Sequence, residues 1–206
     1  MNSNTQNAKI EAITEKTLVI GIDVGSETHN ARAFTWRGIE LTKKVFEFSN
    51  DKEGFTSFKA RKKKATTFLY ISSMEVYGDM GGDVWATEDK FGFINPLSVR
   101  SDYPESKRMC ENMCIAYSAE YGVNVKIARL AQTFGPGILP WEKRVFAQFA
   151  QAVIDEKDII LHTKGESEEN YCYLADMAVG IFTILLRGEN KNAYNVVNEQ
   201  THCTIA

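Results

Sequence analysis

Tyr103 and Lys107 stand four residues apart in Tyr103-Pro104-Glu105-Ser106-Lys107, and on a helix that spacing puts both side chains on one face, one turn from each other. A tyrosine hydroxyl, with an ordinary pKa of about 10, is a poor base at neutral pH, and a neighbouring ammonium favours the phenolate. Thirty residues before Tyr103, the apolar run Phe68-Leu69-Tyr70-Ile71 ends in Ser72-Ser73. A phenolate held beside an ammonium could abstract a proton, and a hydroxyl at a strand end can donate or accept a hydrogen bond. Taken singly, Ser73, Tyr103 and Lys107 read more plainly, as a strand-end cap, a half-buried helix-start aromatic and a solvated cation.

A strand and a helix must position these residues, and the pattern after residue 65 supplies both. Residues 66–72 form an almost continuously apolar strand, suited to a sheet covered on both faces. A helix from Tyr103 to Tyr121 ends at Gly122, and a strand follows over 123–130. Next come a helix over 141–154, a short strand over 159–163, a helix over 174–186 stopped by Gly188, and a last strand over 194–197. Alternation of this kind implies parallel pairing with right-handed crossovers, an α/β doubly wound sheet.

The first part of the chain has another rhythm. Strands are expected over 17–23, 30–36 and 40–48, with Arg37-Gly38 as the turn between the last two, which makes an antiparallel β-meander. Asn50 and Asp51 can cap a following helix through Phe55 and Phe58, with Glu53 in its first turn. Arg61 to Lys64 is a basic run without apolar partners, read as a solvated linker rather than a nucleic-acid site. The expected organisation is therefore 1–58, a basic linker 59–64, and 65–206.

Composition narrows the class only slightly. The 206 residues are 44% hydrophobic and 25% charged with a net charge of −3, which offers no general attraction to nucleic acid or anionic membrane. Cys110, Cys114, Cys172 and Cys203 form no C-x-x-C pair and read as buried or half-buried free thiols. His29, His162 and His202 read as surface residues rather than metal ligands. No apolar stretch reaches membrane-span length, and the polar start of the chain lacks the apolar core of a signal peptide. A soluble cytoplasmic protein is expected.

Five ordered blocks carry a family likeness: Ser72-Ser73-Met74-Glu75-Val76-Tyr77-Gly78, Tyr103-x-x-x-Lys107, Arg129-Leu130-Ala131-Gln132-Thr133-Phe134-Gly135-Pro136-Gly137, Arg144-Val145-Phe146, and Tyr171-Cys172-Tyr173-Leu174-Ala175-Asp176. With these, residues 65–206 resemble the extended short-chain dehydrogenase/reductase family, in particular its NAD-dependent nucleotide-sugar epimerases, dehydratases and decarboxylases. The resemblance implies a Rossmann-like fold, NAD as cofactor and a nucleotide sugar as substrate. It makes Ser73, Glu75, Tyr103 and Lys107 catalytic, with Tyr103 and Lys107 also touching the cofactor, and puts Gln132 and Arg144 on the substrate side. Arg129 is read as structural, anchoring a strand end. The family's 4,6-dehydratases place Asp then Glu after the serine; Met74 cannot donate a proton, which disfavours dehydration, whereas Glu75 suits the decarboxylases and some epimerases. Relatives commonly carry an arginine two residues before the first aromatic of the Tyr-Cys-Tyr block, where its fork grips a diphosphate; this chain has Glu169, in an acidic stretch with Glu166 and Glu168.

A dinucleotide-binding sheet opens with a glycine-rich turn between a strand and a helix, and none of the fourteen glycines makes that pattern. Instead Ile20-Gly21-Ile22-Asp23-Val24-Gly25-Ser26-Glu27-Thr28-His29-Asn30-Ala31, with Arg37-Gly38-Ile39-Glu40-Leu41 and Asn50-x-x-Glu53-Gly54-Phe55, resembles the start of DEDD insertion-sequence transposases, whose RuvC-like, ribonuclease-H-like core begins with such a meander. That resemblance makes Asp23 a vestigial metal-binding carboxylate, the only one carried of a set that two-metal chemistry needs. The phosphate-binding hairpin of actin-like sugar kinases is a weaker match to the same G-x-D-x-G. Two functions remain open: a truncated, impaired or inactive NAD-dependent enzyme joined to a transposase fragment, or a non-catalytic chimera. A DNA-binding remnant is weaker still. A parallel sheet lacking its first strands would expose an edge, so self-association is also expected.

Overall fold

The computed structural model describes residues 18–24, 27–35, 39–42, 44–49, 51, 53–54, 57, 67–82, 85–137, 141–161 and 163–205. The chain divides into two compact units, Met1–Thr66 and Thr67–Ala206.

In the first unit, β1 (Leu18–Val24) pairs antiparallel with β2 (Thr28–Thr35), which pairs antiparallel with β3 (Phe46–Ser49). The third strand is shorter than the alternation of 40–48 suggests. Glu40 makes only an isolated bridge to Phe34, because Ile39, Leu41 and Val45 stay exposed and burial does not reward the pattern. An ion pair of 3.0 Å between Arg32 and Glu40 ties that crossing instead. His29 is not a surface residue: it alternates onto the face of Ala31, is buried, and packs 5.0 Å from Phe48 between ring centres. The cap at Asp51 forms, its Oδ1 accepting the Gly54 N–H at 2.7 Å. Arg37, Gly38, Asn50, Phe55, Phe58 and the 59–64 run lie outside the described residues.

The second unit is built on a three-stranded parallel sheet in the order β4 (Thr67–Ser73), β5 (Asn124–Leu130), β9 (Asn192–Val196). β5 is central and buried over Val125–Arg129 because neighbours flank it on both sides. Helix α1 (Asp102–Tyr121) joins β4 to β5 and α3 (Leu174–Arg187) precedes β9; between them stands α2 (Val145–Ile154). Two small pairs complete it, β6 (Gln132–Phe134) parallel to β8 (Tyr171–Tyr173), and β7 (Glu168–Glu169) antiparallel to β10 (Cys203–Thr204). Ala128, Ala131, Cys172, Ile184 and Val196 form its core.

Acidic residues Asp102 and Glu105 suit the first turn of α1, and Pro104 is tolerated there because no intrahelical N–H is required of it. Gly122 ends the helix at φ 66°, its N–H returning to the Ser118 carbonyl at 3.1 Å. Gly188 ends α3 differently. Its backbone is extended, and glycine is needed because a Cβ would come within 2.6 Å of the Ile184 carbonyl. The strand expected over 159–163 does not form: Ile159, Ile160 and Leu161 are exposed and unpaired with any strand among the described residues. The helix expected from residue 141 begins only at Val145. Of the thiols, Cys172 is buried, Cys110 and Cys114 are half-buried, and Cys203 is exposed rather than covered.

Candidate active site

Parallel pairing sets Ser72 opposite Arg129 and Ser73 opposite Leu130, so β4 delivers Ser73 to the carboxyl end of the sheet. There the chain enters a 3-10 turn, Met74–Tyr77, and Ser73 caps it by accepting the Glu75 N–H at 3.2 Å. Its hydroxyl serves as acceptor in that bond, which leaves its own proton to donate. Glu75 is exposed. Gly78 closes the turn at φ 65°.

Tyr103 and Lys107 occupy the first two turns of α1 on the face turned to β4. The Lys107 Nζ donates to the Ile71 carbonyl at 3.0 Å and lies 5.6 Å from the Tyr103 ring centre and 5.2 Å from that of Tyr70. Burial pushes the lysine below its ordinary range, and the neighbouring Cys110 and Glu111 oppose that shift. Tyr103 keeps 47% of its surface exposed. The structure thus brings a cation to the phenol and to the strand that ends in Ser73.

A cleft of about 960 Å³ opens beside the turn, lined by Met74, Glu75, Trp85, Phe93, Glu169 and His202 among others. Its character is acidic, with Glu88, Glu168 and Glu199 also on its walls. Burial, and then the Glu75 carboxylate, raise Glu169 above the ordinary carboxyl range. His202 lies against Trp85 with ring centres 6.1 Å apart and meets Glu168 at 3.4 Å. Of the expected catalytic and substrate-side residues only Glu75 lines this cleft; Ser73, Tyr103, Lys107, Gln132 and Arg144 do not. Gln132 sits in β6 opposite Tyr171, while Arg144 precedes α2, paired with Glu142 at 2.7 Å and packed 4.8 Å from the Phe146 ring centre. Asp23 stands in β1 opposite Asn30; its side chain lies outside the described residues, among which no group of three His, Cys, Asp or Glu side chains could hold a metal.

Arg108 and Glu111 belong to no motif, yet both brace the strand end and the turn around Ser73. Arg108 donates to the carbonyls of Val76 at 2.7 Å, Tyr77 at 3.3 Å and Gly92 at 2.9 Å, so it holds the turn after Ser73 from behind. Glu111 accepts from Ser72 and from Arg129. The signal for Glu111 was present in the numbering, since it continues the four-residue step from Tyr103 through Lys107 onto the face that meets the sheet.

The model of the NAD dependent epimerase/dehydratase family matches residues 17–198. The chain belongs to this family. The match begins within residues 1–58, the segment expected from its sequence to be transposase-like. Among curated proteins, the chain is 31% identical to UDP-glucuronic acid decarboxylase 1 of Xenopus tropicalis over 144 residues, 70% of this chain and 34% of that one. It therefore spans about a third of that relative's length. Among solved structures, RMD of Pseudomonas aeruginosa complexed with NADPH matches with a TM-score of 0.61 and 25% identity, over 73% of this chain and 50% of that one. UDP-glucuronic acid 4-epimerase of Bacillus cereus, in complex with UDP-glucuronic acid and NAD, matches at 0.57 and 23%, over 71% of this family member and 44% of the epimerase, a likeness of fold. Among the described residues no helix is long and apolar enough to cross a membrane.

Proposed function

We propose that the second unit carries the proton-transfer site of an NAD-dependent nucleotide-sugar enzyme of decarboxylase or epimerase type, in impaired form. The observation that carries this is the placement of Lys107 between the Tyr103 ring and the strand that ends in Ser73. Tyr103 takes the proton of a sugar hydroxyl, Ser73 donates to the same oxygen, and Lys107 supplies positive charge to the phenolate and hydrogens to a ribose. NAD, when bound, supplies the hydride acceptor. The exposed phenol and the ammonium suit the nicotinamide and its ribose. At the pyrophosphate end the fit is lacking, since among the described residues no glycine turn joins a strand to a helix N-terminus. Met74 in the turn argues against dehydration, and Glu75 beside the cleft suits decarboxylation or epimerisation.

Impairment follows from charge. Glu169 stands where relatives grip a diphosphate with arginine, and it shares the cleft with Glu75, so a nucleoside diphosphate meets repulsion there. Incubation with NAD and UDP-glucuronic acid, followed by chromatography of the sugar nucleotide and measurement of released carbon dioxide, tests the reading. Slow conversion lost in Tyr103→Phe is expected; NAD binding with no conversion at all would favour a non-catalytic role.

One observation favours that second reading, a non-catalytic chimera. β1 to β3 form an antiparallel meander in a unit apart from the parallel sheet, which suits a transposase-derived segment over 1–58 with Asp23 vestigial. Self-association through the β4 edge fits either reading, because β4 ends the sheet among the described residues.

A further inference from the structure

Tyr103, Lys107 and Glu111 follow one another at four-residue steps along the face of α1 that meets the sheet. Each of the last two grips the end of β4. Lys107 holds the carbonyl of Ile71, and the hydroxyl of Ser72 donates to Glu111 Oε1 at 2.5 Å, so successive residues are fixed immediately before Ser73. Glu111 is 7% exposed and uses both oxygens: Oε1 also accepts from Arg129 Nε at 3.0 Å, and Oε2 accepts from Nη2 at 2.7 Å. Arg129 in turn is 4% exposed, lies 5.0 Å from the Tyr77 ring centre and 4.8 Å from that of Phe91, and donates to the Tyr77 hydroxyl and the Glu88 carbonyl at 2.9 Å each. One carboxylate thus joins α1, β4 and β5 beside the strand end that carries Ser73.

We propose that Glu111 is a positioning residue for the Ser73, Tyr103 and Lys107 set: through Ser72 it pins α1 to the end of β4, and it keeps a negative charge one turn from the Lys107 ammonium. The inference rests on reading those three residues as the site, but its test needs neither cofactor nor turnover. Two side chains face Lys107 as aromatic neighbours, Tyr70 and Tyr103, and two titratable groups act on it from its own helix, Cys110 and Glu111. Cys110 and then Glu111 oppose the effect of burial, and Arg129 holds the Glu111 carboxylate in place.

The experiment is an NMR titration of the lysine ammonium signals in the labelled full chain, with Lys107 assigned by its loss in Lys107→Arg. In Glu111→Gln the Lys107 titration is expected to move to lower pH by roughly half a unit or more, since one favourable charge is gone. Ser72→Ala removes a single hydroxyl and guards against a Gln variant that does not fold. In it, hydrogen exchange at the amides of Ser73 and Glu75 is expected to quicken about tenfold or more, while exchange in β9 is unchanged. An unmoved Lys107 titration in a folded Glu111→Gln, or unchanged exchange at both amides in Ser72→Ala, overturns the proposal. If NAD fails to bind while both effects appear, the cofactor reading falls and the positioning role stands.

Discussion

Arg129 and Tyr77 meet twice: the guanidinium donates to the phenol oxygen at 2.9 Å and lies 5.0 Å from the centre of the same ring. The tyrosine passes the contact on by donating to Asn195 Oδ1 at 2.6 Å, so β5, β9 and the turn after Ser73 share one polar chain. Burial raises the Tyr77 phenol above its ordinary range, against the bonds from Arg129 and Asn195 that lower it.

Arg129→Met is expected to destabilise the second unit by about 3–5 kcal/mol, because it strands the buried Glu111 carboxylate without its cation. Arg129→Met combined with Glu111→Leu should recover part of that loss, since an apolar pair carries no uncompensated charge. Urea unfolding of the single and double variants checks this, and a double variant weaker than either single one contradicts it.

Glu169→Gln should stabilise the protein selectively at higher pH. The carboxyl is raised in the folded state, so its contribution is present while it is protonated and is lost as pH rises through the folded value; the amide has no such loss. Thermal unfolding at mildly acidic and mildly alkaline pH reads the difference, and equal gains at both would sink the idea. Glu169→Arg should tighten UDP binding tenfold or more, about 1.4 kcal/mol or greater, by calorimetry.

Gly78→Ala is expected to cost about 1–3 kcal/mol and to widen the cleft. At φ 65° the turn is left-handed, and an added Cβ would lie 2.6 Å from the Phe93 carbonyl, a backbone atom that cannot step aside. Gly122, at φ 66° and ψ 20°, lies in the left-handed helical region that other residues can enter and has nothing within 4 Å, so Gly122→Ala should cost only about 1–2 kcal/mol. Equal melting losses for the two would show that neither the Phe93 contact nor the ψ of −157° at Gly78 adds a cost.

The elements that hold the site were legible where local chemistry agrees with burial. The apolar run into Ser73 forms β4, and the Gly122 stop ends α1 where the pattern puts it. Ile159 to Leu161 misled because apolar character without a neighbouring strand leaves the segment exposed. The pairs β6–β8 and β7–β10 are two or three residues long, too short for any periodicity to mark. Tyr103 and Lys107 were readable from their spacing. Glu111 continues the same four-residue step, but a helical glutamate is ordinarily solvated, and only Arg129 arriving from a distant strand explains its burial. Arg144 lies outside the cleft, just before α2, where it pairs with Glu142 and lowers that carboxyl to about 2.

The central claim is that Tyr103 and Lys107 receive the nicotinamide end of NAD. Calorimetric titration of the full chain with NAD tests it most directly, with Lys107→Ala as the comparison. The account predicts measurable binding, about millimolar or tighter, that Lys107→Ala abolishes. No heat at millimolar NAD, or binding that Lys107→Ala leaves intact, would contradict it.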